Sequence, residues 1–184
     1  TAQGKFAYTV RGPSGKVEDK GYSFPRHAGT TWFLARLAAR TGDPEISAAA
    51  DAGLAFMAAN TTHTSEIGAY LHDPRRKGHK TWAGTTALAA LAADVHGHPL
   101  AAPWGRFLAS TVDARGQVRG NVNMTTQKAA PQPKNPYGQG QVVLALAARA
   151  RSGQDELRPA LQRAAQFMDG DYAPGGVGRM LSLD

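Results

Sequence analysis

Cysteine is absent from all 184 residues, which removes disulfides and thiolate zinc sites from consideration without choosing a compartment. Acid is scarce. There are 14 Asp+Glu against 21 Lys+Arg, a net charge of +7, and aromatic residues make up only 8% of the chain. The surplus of cations draws anionic partners such as nucleic acid, acidic polysaccharide, phosphate groups or a membrane surface. The plainer reading of the same charge is an Arg- and Ala-rich surface that keeps the protein in solution. Long hydrophobic runs are also missing, because Arg or Asp interrupts each Ala/Leu segment short of the roughly 18 residues of a membrane span. No secretory leader is visible, and Thr1-Ala2-Gln3 reads equally well as a start left by earlier cleavage. A soluble protein is expected, with export left open.

What the chain does contain is a repeat. Arg26-His27-Ala28-Gly29-Thr30-Thr31-Trp32 leads into an Ala/Leu helix that closes at Gly42-Asp43-Pro44. The design returns at Lys80-Thr81-Trp82-Ala83-Gly84-Thr85-Thr86, and more loosely at Asn135-Pro136-Tyr137-Gly138-Gln139-Gly140. Leu37, Leu91 and Leu146 mark the register at spacings of 54 and 55 residues, and such self-similarity at a near-fixed period marks a repeat architecture. Each unit reads as helix, short link, helix, then a connection with strand character.

In chain order, Lys5–Val10 and Lys16–Gly21 flank the turn residues Gly12-Pro13-Ser14-Gly15 and predict an N-terminal β-hairpin over residues 1–25. Pro25 biases Phe24 away from helix, so the first helix is placed from about Gly29 to Arg40. Gly42 is its expected stop, Asp43 the cap of the next helix and Pro44 that helix's first residue. Further helices are expected at 44–59, 83–96, 100–110, 139–151 and 155–168, with strands at 66–71 and 117–124. The domain reading is one unit over 1–184, with the hairpin at 1–25 and repeats at 26–76, 77–131 and 132–184. The fold class is all-α: α/α-hairpin repeats forming an arc or part of a closed ring of helices, with short β-hairpins in the connections and at the N-terminus.

This pattern, carried by residues 26–172, resembles the α/α-toroid families, which include six-hairpin glycosidases, polysaccharide lyases, sugar epimerases and terpenoid-cyclase-like proteins. The resemblance is architectural, with no catalytic motif carried over. It implies inner helices around an axis, outer helices behind them and a functional cleft at one end. Closed toroids of these families carry more hairpins than three. The array is therefore expected to be completed by another chain or by a further part of the same toroid, since neighbouring repeats bury each other's faces.

If the first helix of each pair is an inner one, the heads Arg26-His27, Lys80-Thr81-Trp82 and Lys134-Asn135-Pro136-Tyr137 converge. Helix N-termini carry unpaired N–H groups and the positive dipole end, so added cations make an anion-attracting mouth, and Trp82 and Tyr137 offer flat faces to a sugar ring. Trp32 and Trp82 read equally well as core residues. Arg26, His27, Tyr137 and Asp73 are the candidate catalytic residues: a base, a cation to neutralise a sugar carboxylate, and a carboxylate. Trp82, Lys80, Asn135 and Glu66 are the candidate substrate-binding residues. Asp169 and Asp171 are further loop acids, whereas Asp43, Asp51 and Asp155 read as caps or surface.

His72, Asp73 and His79, and His96 with His98, lack a strong zinc spacing, and no metal is expected. Gly138-Gln139-Gly140 lacks the third glycine and the preceding strand of a dinucleotide site, and no cofactor is expected. Arg75-Arg76-Lys77-Gly78-His79-Lys80 is a basic run suited to phosphates but without interleaved aromatics. The leading expectation is a carbohydrate-active enzyme of hydrolase, lyase or epimerase type acting on an anionic saccharide. The alternative is a non-catalytic binding or scaffold module for an acidic partner.

Overall fold

The computed structural model describes residues 4–7, 9–18, 21–73, 80–126, 128–129 and 135–172. Helices dominate them: α1 (Phe24–Thr41), α2 (Pro44–Ala59), α3 (Ala83–Val95), α4 (Ala101–Thr111), α5 (Pro136–Arg151) and α6 (Arg158–Tyr172), the last preceded by a 3-10 turn at Asp155–Leu157. Strands are short. The pair β1 (Thr9–Arg11) and β2 (Lys16–Glu18) is antiparallel, as is the pair β3 (Thr61–Thr64) and β4 (Gly68–Leu71), while β5 (Lys80–Trp82), β6 (Asn121–Asn123) and β7 (Lys128–Ala129) form a small sheet. The fold is mainly α, and no helix among the described residues is long and apolar enough to cross a membrane.

Local chemistry sets the helix ends. Asp43 caps α2 as its sequence predicts, its Oδ1 accepting from the Glu45 N–H at 2.8 Å and the Ile46 N–H at 3.3 Å. Gly42 ends α1 at a φ of 68°, a left-handed conformation that glycine adopts without Cβ strain. The start of α1 differs from expectation. Ser23 is the N-cap and Pro25 lies within the first turn, where a helix has no partner for the missing N–H. The helix therefore begins about a turn earlier than the Phe24-Pro25 pair suggested. The expected strand at 66–71 resolves into the β3–β4 hairpin, with Glu66 in its turn.

The first helices of the three hairpins form one row. α3 packs between α1 and α5, while α2, α4 and α6 each lie behind their own partner. Central placement explains the sequence of α3, in which every residue from Thr85 to Ala93 is buried: a helix apolar on all sides belongs in the interior. Its alanines let the flanking helices come close. Leu88 lies against Gly29 of α1, and Gly84 faces Gly138 and Gln141 of α5. Met57, Trp104, Phe107, Leu108 and Leu146 fill the space between the rows.

Those contacts put the N-termini of α1, α3 and α5 at one end. The β4 strand is tied to the head of α3, because the Thr81 hydroxyl donates to the Leu71 carbonyl at 2.7 Å and the Leu71 N–H donates to Thr86 Oγ1 at 3.3 Å. Gly68 enters β4 at a φ of +93°, and a Cβ there would stand 2.3 Å from the Pro103 carbonyl oxygen of α4. Neither the dihedral nor the backbone oxygen can yield cheaply. Gly68→Ala is expected to lower stability by more than about 1 kcal/mol, read from the urea midpoint. A midpoint equal to that of the parent protein would show that this contact does not hold the hairpin on α4.

Candidate functional site

Two neighbouring cavities open at the helix heads. The smaller, of 360 Å³, is lined by Tyr22 to Pro25, Leu71, Asp73, Lys80 to Trp82 and Thr85. The larger is an open groove of 1200 Å³ with α1 as one wall, Leu88 of α3 as floor and Tyr137 of α5 opposite. Pro25 lines both, so the Phe24-Pro25 turn is the ridge between them.

This geometry divides the residues that the sequence grouped together. Arg26 and Tyr137 line the groove, whereas Asp73, Lys80 and Trp82 line the smaller cavity. His27 is in neither. Only 2% exposed, it lies in the interior with its Nε2 2.9 Å from the Gly53 carbonyl, which accepts from it. Its ring sits among Phe6, Phe56 and Tyr22 at centroid distances of 4.6, 5.0 and 5.6 Å. Successive helical residues are about 100° apart, so Arg26 and His27 cannot face one cleft once both belong to α1. The role of His27 as a base in the cleft is therefore corrected to that of a core residue.

Asn135 is corrected in part. Its side-chain oxygen accepts from the Gly138 N–H at 3.1 Å, making it the cap of α5 rather than a group aimed at a ligand. Glu66 is exposed in the β3–β4 turn and lines neither cavity. The basic run at 74–79 and Lys134 lie outside the described residues, while Asp169 and Asp171 fall within α6 rather than in a loop.

The three heads also differ electrically. Ser23 caps α1 and Asn135 caps α5, but no side chain caps α3, whose first turn opens beside Trp82 and Thr85. Along the groove, the charged residues in its lining are Arg26, Arg36 and Arg40, and no described lining residue is a carboxylate. The guanidinium of Arg36 lies 5.8 Å from the centre of the Trp32 ring. Phe33 is 61% exposed and Tyr137 75%, although both are aromatic. Phe33 thus faces solvent from the middle of α1.

Arg36 and Arg40 are not among the site residues that the sequence singles out. The signal that finds them is positional: 26, 29, 33, 36 and 40 recur at three- and four-residue steps, one face of a helix, with Leu37 beside them. That face mixes arginine with aromatic and aliphatic residues.

Away from the groove, His96 Nδ1 lies 3.2 Å from Asp51 and ties the end of α3 to α2. Burial lowers the pKa of neighbouring His98 and the charge of His96 adds to the effect, while Asp51 opposes it. Among the described residues no group of three or more His, Asp or Glu side chains is placed to hold a metal ion. Fold and site together define a mainly α, hairpin-built protein with a cationic, aromatic groove. No protein-family model matches the chain, and a search of the curated proteins finds no match.

Proposed function

We propose that this protein binds an anionic saccharide in the groove between α1 and α5, as the recognition surface of a carbohydrate-active protein. The observation that carries this is the groove's lining: three arginines, exposed aromatic faces and no described carboxylate. Guanidinium groups match carboxylate and sulfate geometry with paired donors, and aromatic faces suit the apolar side of a sugar ring. Acidic oligosaccharides are expected to bind in preference to neutral ones of equal length, and binding is expected to weaken with added salt. Arg26→Ala is expected to weaken it by about tenfold, the scale of one lost charge-assisted contact. Equal binding of neutral and acidic sugars by titration calorimetry, or an unchanged affinity in Arg26→Ala, would remove the basis for this function.

A catalytic reading rests on the smaller cavity. Asp73 and Lys80 stand there beside Trp82, an acid or base and a cation next to an aromatic face. One carboxylate suits proton abstraction from a uronic acid better than hydrolysis, which needs two. In that case Asp73→Asn abolishes turnover of uronic-acid glycans and leaves binding in the groove intact. Turnover surviving the substitution would leave binding alone.

A further inference from the structure

The groove extends far beyond the helix heads, and its charge is placed at its ends. With a rise of 1.5 Å per residue, Arg36 is about 15 Å and Arg40 about 21 Å along α1 from Arg26. Between the ends the wall is Gly29, Thr30 and Phe33, without charge. Among the described residues neither Arg36 nor Arg40 takes part in a salt bridge. A single acidic ring held at Arg26 would leave this second cationic end facing water.

We infer that the groove takes an extended acidic oligosaccharide laid along α1, one anionic group at Arg26 and another at the Arg36–Arg40 end. Ring faces between them pack on Phe33. The inference rests on the saccharide reading above and adds length and direction to it. Holding one end of such a chain raises the effective concentration of the other, so affinity depends on whether the chain spans both ends. A single-stranded nucleic acid carries a phosphate at each step and calls for cations throughout the track, which the uncharged middle does not provide.

The test is a length series of uronic-acid oligosaccharides, from a single ring upward, titrated against the parent protein, Arg26→Ala and Arg40→Gln. In the parent, affinity is expected to rise by about tenfold or more once the chain spans the ends. Each variant is expected to flatten that profile. Both side chains are exposed, and the readout is the shape of the profile, which a general loss of folded protein does not alter. Acidic saccharides bound equally at every length would overturn the inference while leaving the saccharide reading in place. No acidic saccharide bound at any length would overturn both. Tighter binding of a single-stranded oligonucleotide, sensitive to Arg26→Ala and Arg40→Gln, would reassign the groove to nucleic acid.

Discussion

Replacing Gln139 by leucine is expected to lower the free energy of unfolding by roughly 2 kcal/mol or more. The side chain is only 2% exposed, yet all its hydrogen-bonding capacity that the fold uses goes to backbone groups distant in sequence. Its Nε2 donates to the Gly116 carbonyl at 2.8 Å and to the Ala164 carbonyl at 3.2 Å, while its Oε1 accepts from the Val118 N–H at 2.8 Å. One residue of α5 thus holds the Asp113–Gly116 turn and α6 together. Leucine matches the shape but leaves the buried Gly116 carbonyl and the half-buried Val118 N–H without this partner, each costing about 1–3 kcal/mol when unmade, while the Ala164 carbonyl keeps its place in the α6 ladder. The turn has little freedom to find replacements, since Gly116 sits at a φ of +90° with the Arg163 carbonyl oxygen 2.0 Å from where a Cβ would lie. Urea denaturation reads the loss, and faster amide exchange at Val118 localises it. A loss below about 1 kcal/mol would mean that water replaces these bonds and that Gln139 is not the tie between α5, the turn and α6.

The same glutamine shows how sequence and structure diverge. As part of Gly138-Gln139-Gly140 it belongs to a segment that falls short of a dinucleotide site, and nothing local distinguishes it from a surface glutamine. Its three partners are 21 to 25 residues away, so only the packed fold reveals them. Elements governed by local chemistry were legible: Gly42-Asp43-Pro44 gave the α1–α2 link and Gly12–Gly15 the first hairpin. The helical rows follow from the repeat. What misled was the boundary of α1. With the helix begun at Gly29, Arg26 and His27 read as one polar head; with Ser23 as the cap, the helical twist sends Arg26 to the groove and His27 inward. A displacement of about one turn, minor for the fold, rewrites the site. Tyr137 was legible as an exposed aromatic because it opens its helix, where side chains escape the core, whereas the sequence left Trp82 between a ligand face and the core.

Truncating His27 is the second large change, with His27→Ala expected to cost about 3 kcal/mol, chiefly from the packing lost around its buried ring. The residue joins three parts of the chain, since Phe6 comes from the N-terminal segment, Tyr22 from the approach to α1, and Phe56 from α2. Because the Gly53 carbonyl can only accept, Nε2 carries the proton, and the neutral ring leaves Nδ1 as a lone pair buried without a partner among the described residues. Adding a proton there would create a buried charge and an N–H with no acceptor. Desolvation accordingly lowers the His27 pKa below its ordinary value of 6.5, with the Gly53 hydrogen bond pulling weakly the other way. The unfolded chain then binds the proton more readily than the folded one. Stability is full above the unfolded value, falls as the pH drops below it, and levels off below the folded value. His98, whose pKa is also lowered, adds a slope of the same sign. Urea midpoints between neutral and mildly acidic pH should therefore decline in the parent and decline less in His27→Gln, which keeps a donor for Gly53 and does not titrate. Parallel declines in the two proteins would place the acid sensitivity elsewhere and leave His27 as a packing residue alone.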